Sequence, residues 1–246
     1  MVEVSPLAKT DALRLSNTRP VSASRPVDSS QTTAHANLGR VVRRHLDSPW
    51  RQPLHQHSVQ AFAELAAWRA EQGADHPLWL DSGCGTGRAA YTLALCHPEV
   101  LVVGVDQSAA RLQRAARRLH RADNLLLLRA DCADIWRLLV DAGWCVSRHY
   151  LFYPNPWPKP GHLRRRWHGH PAFAPMLAVG GRLEVRSNWL PYIEEMQQAL
   201  ALAGRASEVA QVVPQQPISD FEDKYHASGH RLWQLTSLPL PPPDKL

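Results

Sequence analysis

The residues best suited to chemistry fall into three short groups, each preceded by an apolar run. Gly83, Gly85 and Gly87 follow Leu78-Trp79-Leu80-Asp81-Ser82, with Cys84 between the first two glycines. Glycines at that spacing let a loop approach a ligand closely and take up positive φ. Asp106 closes the run Val103-Gly104-Val105, and Asp131-Cys132 closes Leu128-Arg129-Ala130. A carboxylate at the end of a second strand can accept hydrogen bonds from both hydroxyls of a ribose. One at the end of a third can accept from the exocyclic amine of adenine, with Cys132 or Ala130 packed on the ring. The loop lacks the GxGxxG spacing that seats a pyrophosphate, and it carries Asp81 two residues before the first glycine. An acid there repels phosphate but can bind the amino group of a methionine moiety. Asp81, Gly83, Cys84, Gly85, Gly87, Asp106, Asp131 and Cys132 are therefore expected to bind S-adenosyl-L-methionine. Each acid alone also reads as a helix N-cap, for which Asp is favoured; three at successive strand ends beside the glycines carry the cofactor reading.

The longest group is Phe152-Tyr153-Pro154-Asn155-Pro156-Trp157-Pro158-Lys159-Pro160-Gly161-His162-Leu163-Arg164-Arg165-Arg166. In an open α/β sheet the ligand lies beyond the carboxyl ends of the strands, so a loop after a fourth strand stands beside the cofactor. Prolines fix its path, Trp157 offers a flat face, and the basic run offers phosphate contacts. The competing reading is a proline-rich turn whose arginines simply begin the next helix.

This segment resembles the FPDPWPKxRHxKRR signature of the bacterial tRNA (guanine-N7-)-methyltransferase family. Gly83-Cys84-Gly85-Thr86-Gly87 matches the family's cofactor loop, Ser187-Asn188-Trp189 stands where it usually has Thr-Asp-Trp, and Ser219-Asp220-Phe221-Glu222 resembles its Thr-x-Phe-Glu. The likeness covers about residues 75–235. Asn155 and Asn188 replace family aspartates, Ser219 replaces threonine and Gly161 a usual arginine, which marks a divergent member. The family's N-terminal signature is not recognisable in residues 30–60.

The resemblance implies methyl transfer to N7 of a guanine in tRNA, in the variable loop. It assigns Asn155 and Glu222 to the reacting centre, and Trp157, Lys159, His162, Arg164, Arg165, Arg166, Asn188, Ser219 and Glu222 to the substrate. Guanine N7 carries an in-plane lone pair, so catalysis can rest on alignment without an essential general base. The guanine edge bearing N1–H and the amino group needs an acceptor, which Glu222 supplies; Asn155 and Asn188 can accept through the amide oxygen and donate to O6. N7 lies in the deep, narrow groove of A-form RNA. The base must therefore be unstacked, with Trp157 or Tyr153 as its stacking partner. Two other functions compete: an exocyclic-amine methyltransferase using Asn155-Pro156-Trp157, and a non-catalytic RNA-binding protein that retains the fold.

Positioning these groups requires a sheet. Apolar runs at 78–80, 100–105, 125–128, 150–152 and 183–185 lack alternation, as strands buried on both faces do. Segments 88–97, 108–121, 133–142 and 167–178 have helical spacing. The alternation predicts an α/β fold of the Rossmann-like class I methyltransferase type, a mostly parallel doubly wound sheet with an antiparallel C-terminal strand. A helix over 190–203 leads to strands at 208–213 and 231–238, and an amphipathic helix begins at Ser58 with Phe62, Leu65, Ala66 and Trp68. Residues 1–35 are rich in Ser, Thr, Pro, Ala and Arg without a period, so a flexible basic arm is expected over 1–45. The domain is expected over 46–238 and a proline-rich tail over 239–246.

A chain of 246 residues suits one α/β domain with appendages. No apolar run reaches membrane-spanning length and no secretory leader is readable, so a cytoplasmic location is expected. Cys84, Cys96, Cys132 and Cys145 lie far apart without a CxxC pair, and His168 and His170 have no companion ligands, so neither disulfide nor metal is expected. The net charge of +6 is carried almost entirely by arginine. That favours a polyanion, here tRNA, as partner. Arg111, Arg114, Arg118 and Arg121 form a helical stripe that either extends this footprint or is a solvated face. Monomer and homodimer remain equally open.

Overall fold

Unbroken apolar runs become strands where both faces can be covered, and four of the seven strands arise this way, while the strand over 182–187 alternates buried and less buried residues. The computed structural model describes residues 23–238. In it β1 (Leu78–Ser82), β2 (Leu101–Asp106), β3 (Leu125–Arg129), β4 (Arg148–Phe152) and β5 (Arg182–Ser187) are parallel, ordered β3-β2-β1-β4-β5. Next to β5 lies β7 (Leu232–Ser237), antiparallel both to it and to the edge strand β6 (Ser207–Val212). The expected antiparallel C-terminal strand is thus present. Strand order reverses between β1 and β4, which opens a crevice beyond their carboxyl ends.

Eight helices are present among the described residues: α1 (Leu38–Leu46), α2 (Gln56–Gln72), α3 (Arg88–Cys96), α4 (Ala109–Arg118), α5 (Cys132–Asp141), α6 (Phe173–Ala178), α7 (Leu190–Leu202) and α8 (Asp220–Ala227). Successive strand residues point to opposite faces, and the core divides accordingly. Leu78, Leu80, Val103 and Leu151 pack on one side with Leu65, Trp136 and Met196. Trp79, Val102, Tyr150 and Phe152 pack on the other with Ala90 and Leu93.

Three expectations need correction. Residues 38–46 are part of the domain, because Leu38, Val41, Val42 and His45 form a buried i, i+3, i+4, i+7 stripe on α1 while Arg40, Arg43 and Arg44 face outward. The helix expected over 167–178 begins only at Phe173, since His170 precedes Pro171 and is extended with ψ 147°. Its start is replaced by two 3-10 turns, Pro160–Arg165 and Trp167–Gly169. Helix α8, not foreseen, follows Ser219, whose hydroxyl caps it. The expectations for residues 1–22 and 239–246 lie outside the described residues. No helix among the described residues is long and apolar enough to cross a membrane.

Candidate active site

The glycine loop joins β1 to α3 and is pinned to β2, with the Gly83 and Cys84 N–H groups donating to Val105 O at 2.8 and 2.9 Å. Gly85 has φ 61°, and a Cβ there would meet no protein atom within 4 Å, so its open face belongs to the crevice. At Gly87, φ 71°, a Cβ would instead strike Leu127 Cδ1 at 2.7 Å. Asp106 accepts from Gly85 N at 3.0 Å, Ser108 N at 2.8 Å and Arg111 Nη1 at 3.2 Å, which fixes its carboxylate at the loop's edge. Asp81 is 1% exposed and neither of its oxygens has a hydrogen-bond partner. Burial pushes its carboxyl up to about 7; the nearby Ala90 N–H offsets this in part and the Asp106 charge adds to it. A buried acid without partners is costly. Here it lines a cleft with Gly83, Cys84, Gly85 and Phe152, faced by Arg111, Arg114, Ser219 and Phe221, with about 740 Å³ of empty space. That space is open to solvent on one side, and an ammonium group is what its acid lacks.

Four of the expected cofactor residues, Gly87, Asp106, Asp131 and Cys132, are not in its wall. Asp131 caps α5, accepting from Ala133 N at 2.8 Å, and Cys132 is buried with its thiol 3.9 Å from Val105 O. Only the second carboxylate oxygen of Asp131 is left for a ligand.

The start of α8 closes the other side. Asp220 accepts from Thr86 Oγ1 at 2.6 Å, Arg118 Nη1 at 3.2 Å and Arg88 Nη1 at 3.4 Å, and Arg88 also reaches Asp223 Oδ2 and Pro217 O, each at 3.1 Å. Burial works against ionisation, but the Thr86 hydrogen bond and the two guanidinium charges hold the Asp220 carboxyl below its ordinary value. Ser219 Oγ accepts from Glu222 N at 3.1 Å. Glu222 itself is fully buried. Its Oε1 accepts from Tyr153 OH and Arg186 Nη1, both at 2.8 Å, and its Oε2 from Ile218 N at 2.7 Å. Three of its four acceptor positions are filled, so the expected role of Glu222 as a guanine-edge acceptor is corrected to one of joining α8, β4 and β5. The Ser219-x-x-Glu222 pattern is a helix start close to a capping box. Burial and the adjacent Glu222 charge push the Tyr153 phenol up.

After β4 the chain turns sharply. Tyr153 (φ 52°) and Trp157 (φ 45°) are the only non-glycine residues with positive φ among the described residues. Each such residue costs on the order of 1–3 kcal/mol and persists only where its surroundings over-determine it. Exposed Asn155 contributes by accepting from Trp157 N at 3.2 Å. The Arg165 guanidinium covers the Trp157 ring at 4.8 Å and the His162 ring meets its edge at 5.6 Å. Lys159, Arg164 and Arg165 are exposed, as phosphate contacts must be. Arg166 is not. It is fully buried, donating from Nη1 to Glu195 Oε2 at 2.5 Å and from Nε and Nη2 to Trp157 O at 3.2 and 3.1 Å. Its expected phosphate role is therefore corrected to support of the loop. On the neighbouring strand end, the Asn188 amide nitrogen lies 3.0 Å from His230 Nδ1.

The profile of the family described as "Putative methyltransferase" matches residues 75–235. The tRNA (guanine-N(7)-)-methyltransferase of Leifsonia xyli is 31% identical over 180 residues, covering 69% of this chain and 79% of that protein. That of Treponema pallidum is 28% identical over 218 residues, covering 78% and 86%. The chain belongs to the tRNA (guanine-N7-)-methyltransferase family. Among solved structures, the 16S rRNA (adenine(1408)-N(1))-methyltransferase from Catenulisporales acidiphilia matches with TM-score 0.53 at 22% identity, over 72% of this chain and 94% of that one. The 16S rRNA methyltransferase KamB matches with TM-score 0.54 at 20% identity, over 78% and 96%. At those identities the likeness is one of fold, the class I methyltransferase sheet.

Against this family background the residues that sequence reasoning missed are supports. Thr86, Arg88 and Asp220 latch α8, Arg186 pairs with Glu222, and Glu195 receives Arg166. Glu195 did carry a signal. It falls in register with Tyr192, Met196 and Ala199 on the buried face of α7, where an acid requires partners. Nothing in three consecutive arginines tells which one turns inward.

Proposed function

We propose that this protein transfers the methyl group of S-adenosylmethionine to N7 of a guanine in tRNA, as a cytoplasmic RNA-modifying enzyme. Support comes from the relatives that carry this activity in their names. Within the molecule, one observation carries the reading: the partnerless Asp81 carboxylate in a glycine-walled cleft lined also by Phe152, the residue that leads into the Tyr153–Trp157 turn. When bound, S-adenosylmethionine would supply an electrophilic methyl group on a sulfonium; the N7–methyl bond would form from the N7 lone pair as the methyl–sulfur bond breaks, giving a cationic ring and a neutral thioether.

The chain's own residues do the holding. Asp81 binds the methionine ammonium, Gly83 and Gly85 admit close approach, and Asp106 takes the ribose diol by releasing Arg111. The free oxygen of Asp131 accepts from the adenine amine. N7 has no proton to lose, so no base is required and alignment carries the rate. Asn155 offers its amide nitrogen to guanine O6, Asn188 offers its amide oxygen to a ring N–H, and Trp157 stacks on the face that Arg165 leaves open. The exocyclic-amine alternative would have the Asn155 amide oxygen shared between the substrate amine and Trp157 N, which already takes one of its two lone pairs.

Incubation with labelled cofactor and unmodified tRNA, followed by nucleoside analysis, tests the reading. 7-Methylguanosine is expected. A methylated exocyclic amine, or no transfer to any RNA, overturns it.

A further inference from the structure

We infer that residues 24–35 form part of the acceptor site: this segment straps the loops carrying Asn155 and Asn188 together, with Gln31, Glu195 and Arg166 as positioning residues for the target base. The inference rests on the proposed tRNA activity. The segment has no regular secondary structure, yet it is bonded at three places. Ser24 N donates to Ser228 Oγ at 2.8 Å, just beyond α8, and Ser24 O lies 3.0 Å from His230 Nε2. Ser29 Oγ donates to Pro158 O at 2.6 Å. Gln31 Nε2 and His35 N both donate to Glu195 Oε1, at 2.7 and 2.9 Å, while Gln31 Oε1 accepts from Arg166 Nη2 at 2.9 Å.

Val27 and Ala34 rest against the core, and the segment meets the substrate loop directly through Ser29 and indirectly through Arg166. Arg166 donates three times to backbone carbonyls of that loop, twice to Trp157 O and once to Lys159 O at 3.4 Å. Trp157 is held in its left-handed conformation by this grip. The adjacent carbonyl, that of Pro158, is taken by Ser29. Glu195 anchors the assembly with all four acceptor positions filled, Oε1 by the strap and Oε2 by Arg166 and by His168 Nε2 at 2.8 Å. Burial alone would raise its carboxyl, but the His168 hydrogen bond and the Arg166 charge hold it down at about 2. Burial keeps His168 neutral, so Arg166 is the cation of the pair.

The other loop is reached through one imidazole. His230 accepts from the Asn188 amide at Nδ1, which places its proton on Nε2, where it is donated to Ser24 O. Asn188 then keeps its amide oxygen free for substrate. The strap thus binds the Pro158 carbonyl itself and, through Gln31, orients the Arg166 that binds the Trp157 and Lys159 carbonyls.

The full chain with Ser29→Ala and Gln31→Leu, singly and together, tests this. Expected is faster hydrogen exchange in residues 152–160 and a fall in kcat/KM for tRNA of about ten- to a hundredfold. Cofactor affinity should stay within about twofold, with one cooperative unfolding transition. Arg166→Lys keeps the charge beside Glu195 but cannot fork onto Trp157 O, and should reproduce the loss. Exchange and kcat/KM near wild type overturn the inference, as does a parallel loss of cofactor affinity. Ser29→Ala removes only the two bonds of a half-buried hydroxyl, one to Pro158 O and one from Gln31 N, and folds in any case. If the wild type makes no 7-methylguanosine, the proposed activity fails, and loop exchange with tRNA affinity still decides the strap.

Discussion

Asp81 is the residue whose protonation state the cofactor must change. Its folded value, raised from 3.8 to about 7, means the ligand-free fold keeps a proton that the unfolded chain gives up. Its contribution to stability is therefore full below about pH 4 and is lost as pH rises toward 7. A bound ammonium reverses the preference, because it favours the ionised acid. Cofactor affinity should rise about tenfold per pH unit below 7 and fall again once the ligand's amino group deprotonates near about 7.7–8.0. Asp81→Asn should weaken binding and flatten the acid limb. Calorimetric titrations across this range check it, and an affinity flat through the acid limb in the wild type would contradict the role of Asp81. At the same scale lie the two asparagines. Asp at 155 still accepts from Trp157 N while presenting a charged acceptor, so Asn155→Asp is expected to raise 7-methylguanosine formation severalfold. Asn188→Asp replaces the donor to His230 Nδ1 with an acceptor, so the imidazole proton is drawn away from Ser24 O and faster hydrogen exchange is expected in residues 24–35.

Elements rather than residues decide where Glu222 belongs. Because it joins α8 to Tyr153 and Arg186, Glu222→Ala should cost stability, about 3 kcal/mol, as well as activity; a residue that only read guanine would leave the denaturation midpoint unmoved. Likewise Leu38→Ala should cost about 2–5 kcal/mol, since α1 is packed against α6 and α7. The parallel strands and the glycine loop were legible because burial on both faces writes long apolar runs and because a close-approach loop needs glycine. Helix α1 was not, since its inward stripe holds only three apolar residues and a histidine among arginines. Nor was the inward turn of Arg166, which depends on 3-10 geometry that proline placement disguises and on a partner, Glu195, far along the chain. Of the expected site residues, those around Asp81 line one cleft. Cys132, Glu222 and Arg166 were legible as important positions but not in their roles, because a buried thiol and a buried ion pair leave the same letters in a sequence as a ligand contact.

For the whole molecule the governing quantity is charge. The net +6 is spread over arginines on several elements, and their placement selects which can meet RNA. Arg164 and Arg165 stand exposed beside Trp157, and α1 brings Arg40, Arg43 and Arg44 outward nearby. Their proximity is felt at buried His45, lowered by burial first and then by the charges of Arg164 and Arg44. Arg114 and Arg117, also exposed, lie on α4 across the cleft. A tRNA whose guanine enters at Trp157 should touch the first two sets. Each phosphate contact contributes about 0.7–0.9 to the slope of log affinity against log salt. Arg164→Ala with Arg165→Ala should therefore reduce the slope by roughly 1.4–1.8, and Arg40→Ala with Arg44→Ala should do nearly as much, with cofactor affinity unchanged. Arg166→Lys should leave the slope alone while lowering turnover, which separates a phosphate contact from a support for the loop. Filter binding over a range of potassium chloride reads all of these. A slope insensitive to the loop and α1 pairs but reduced by Arg114→Ala with Arg117→Ala would put the RNA on the α4 side. The target base would then approach over Phe221 instead of Trp157.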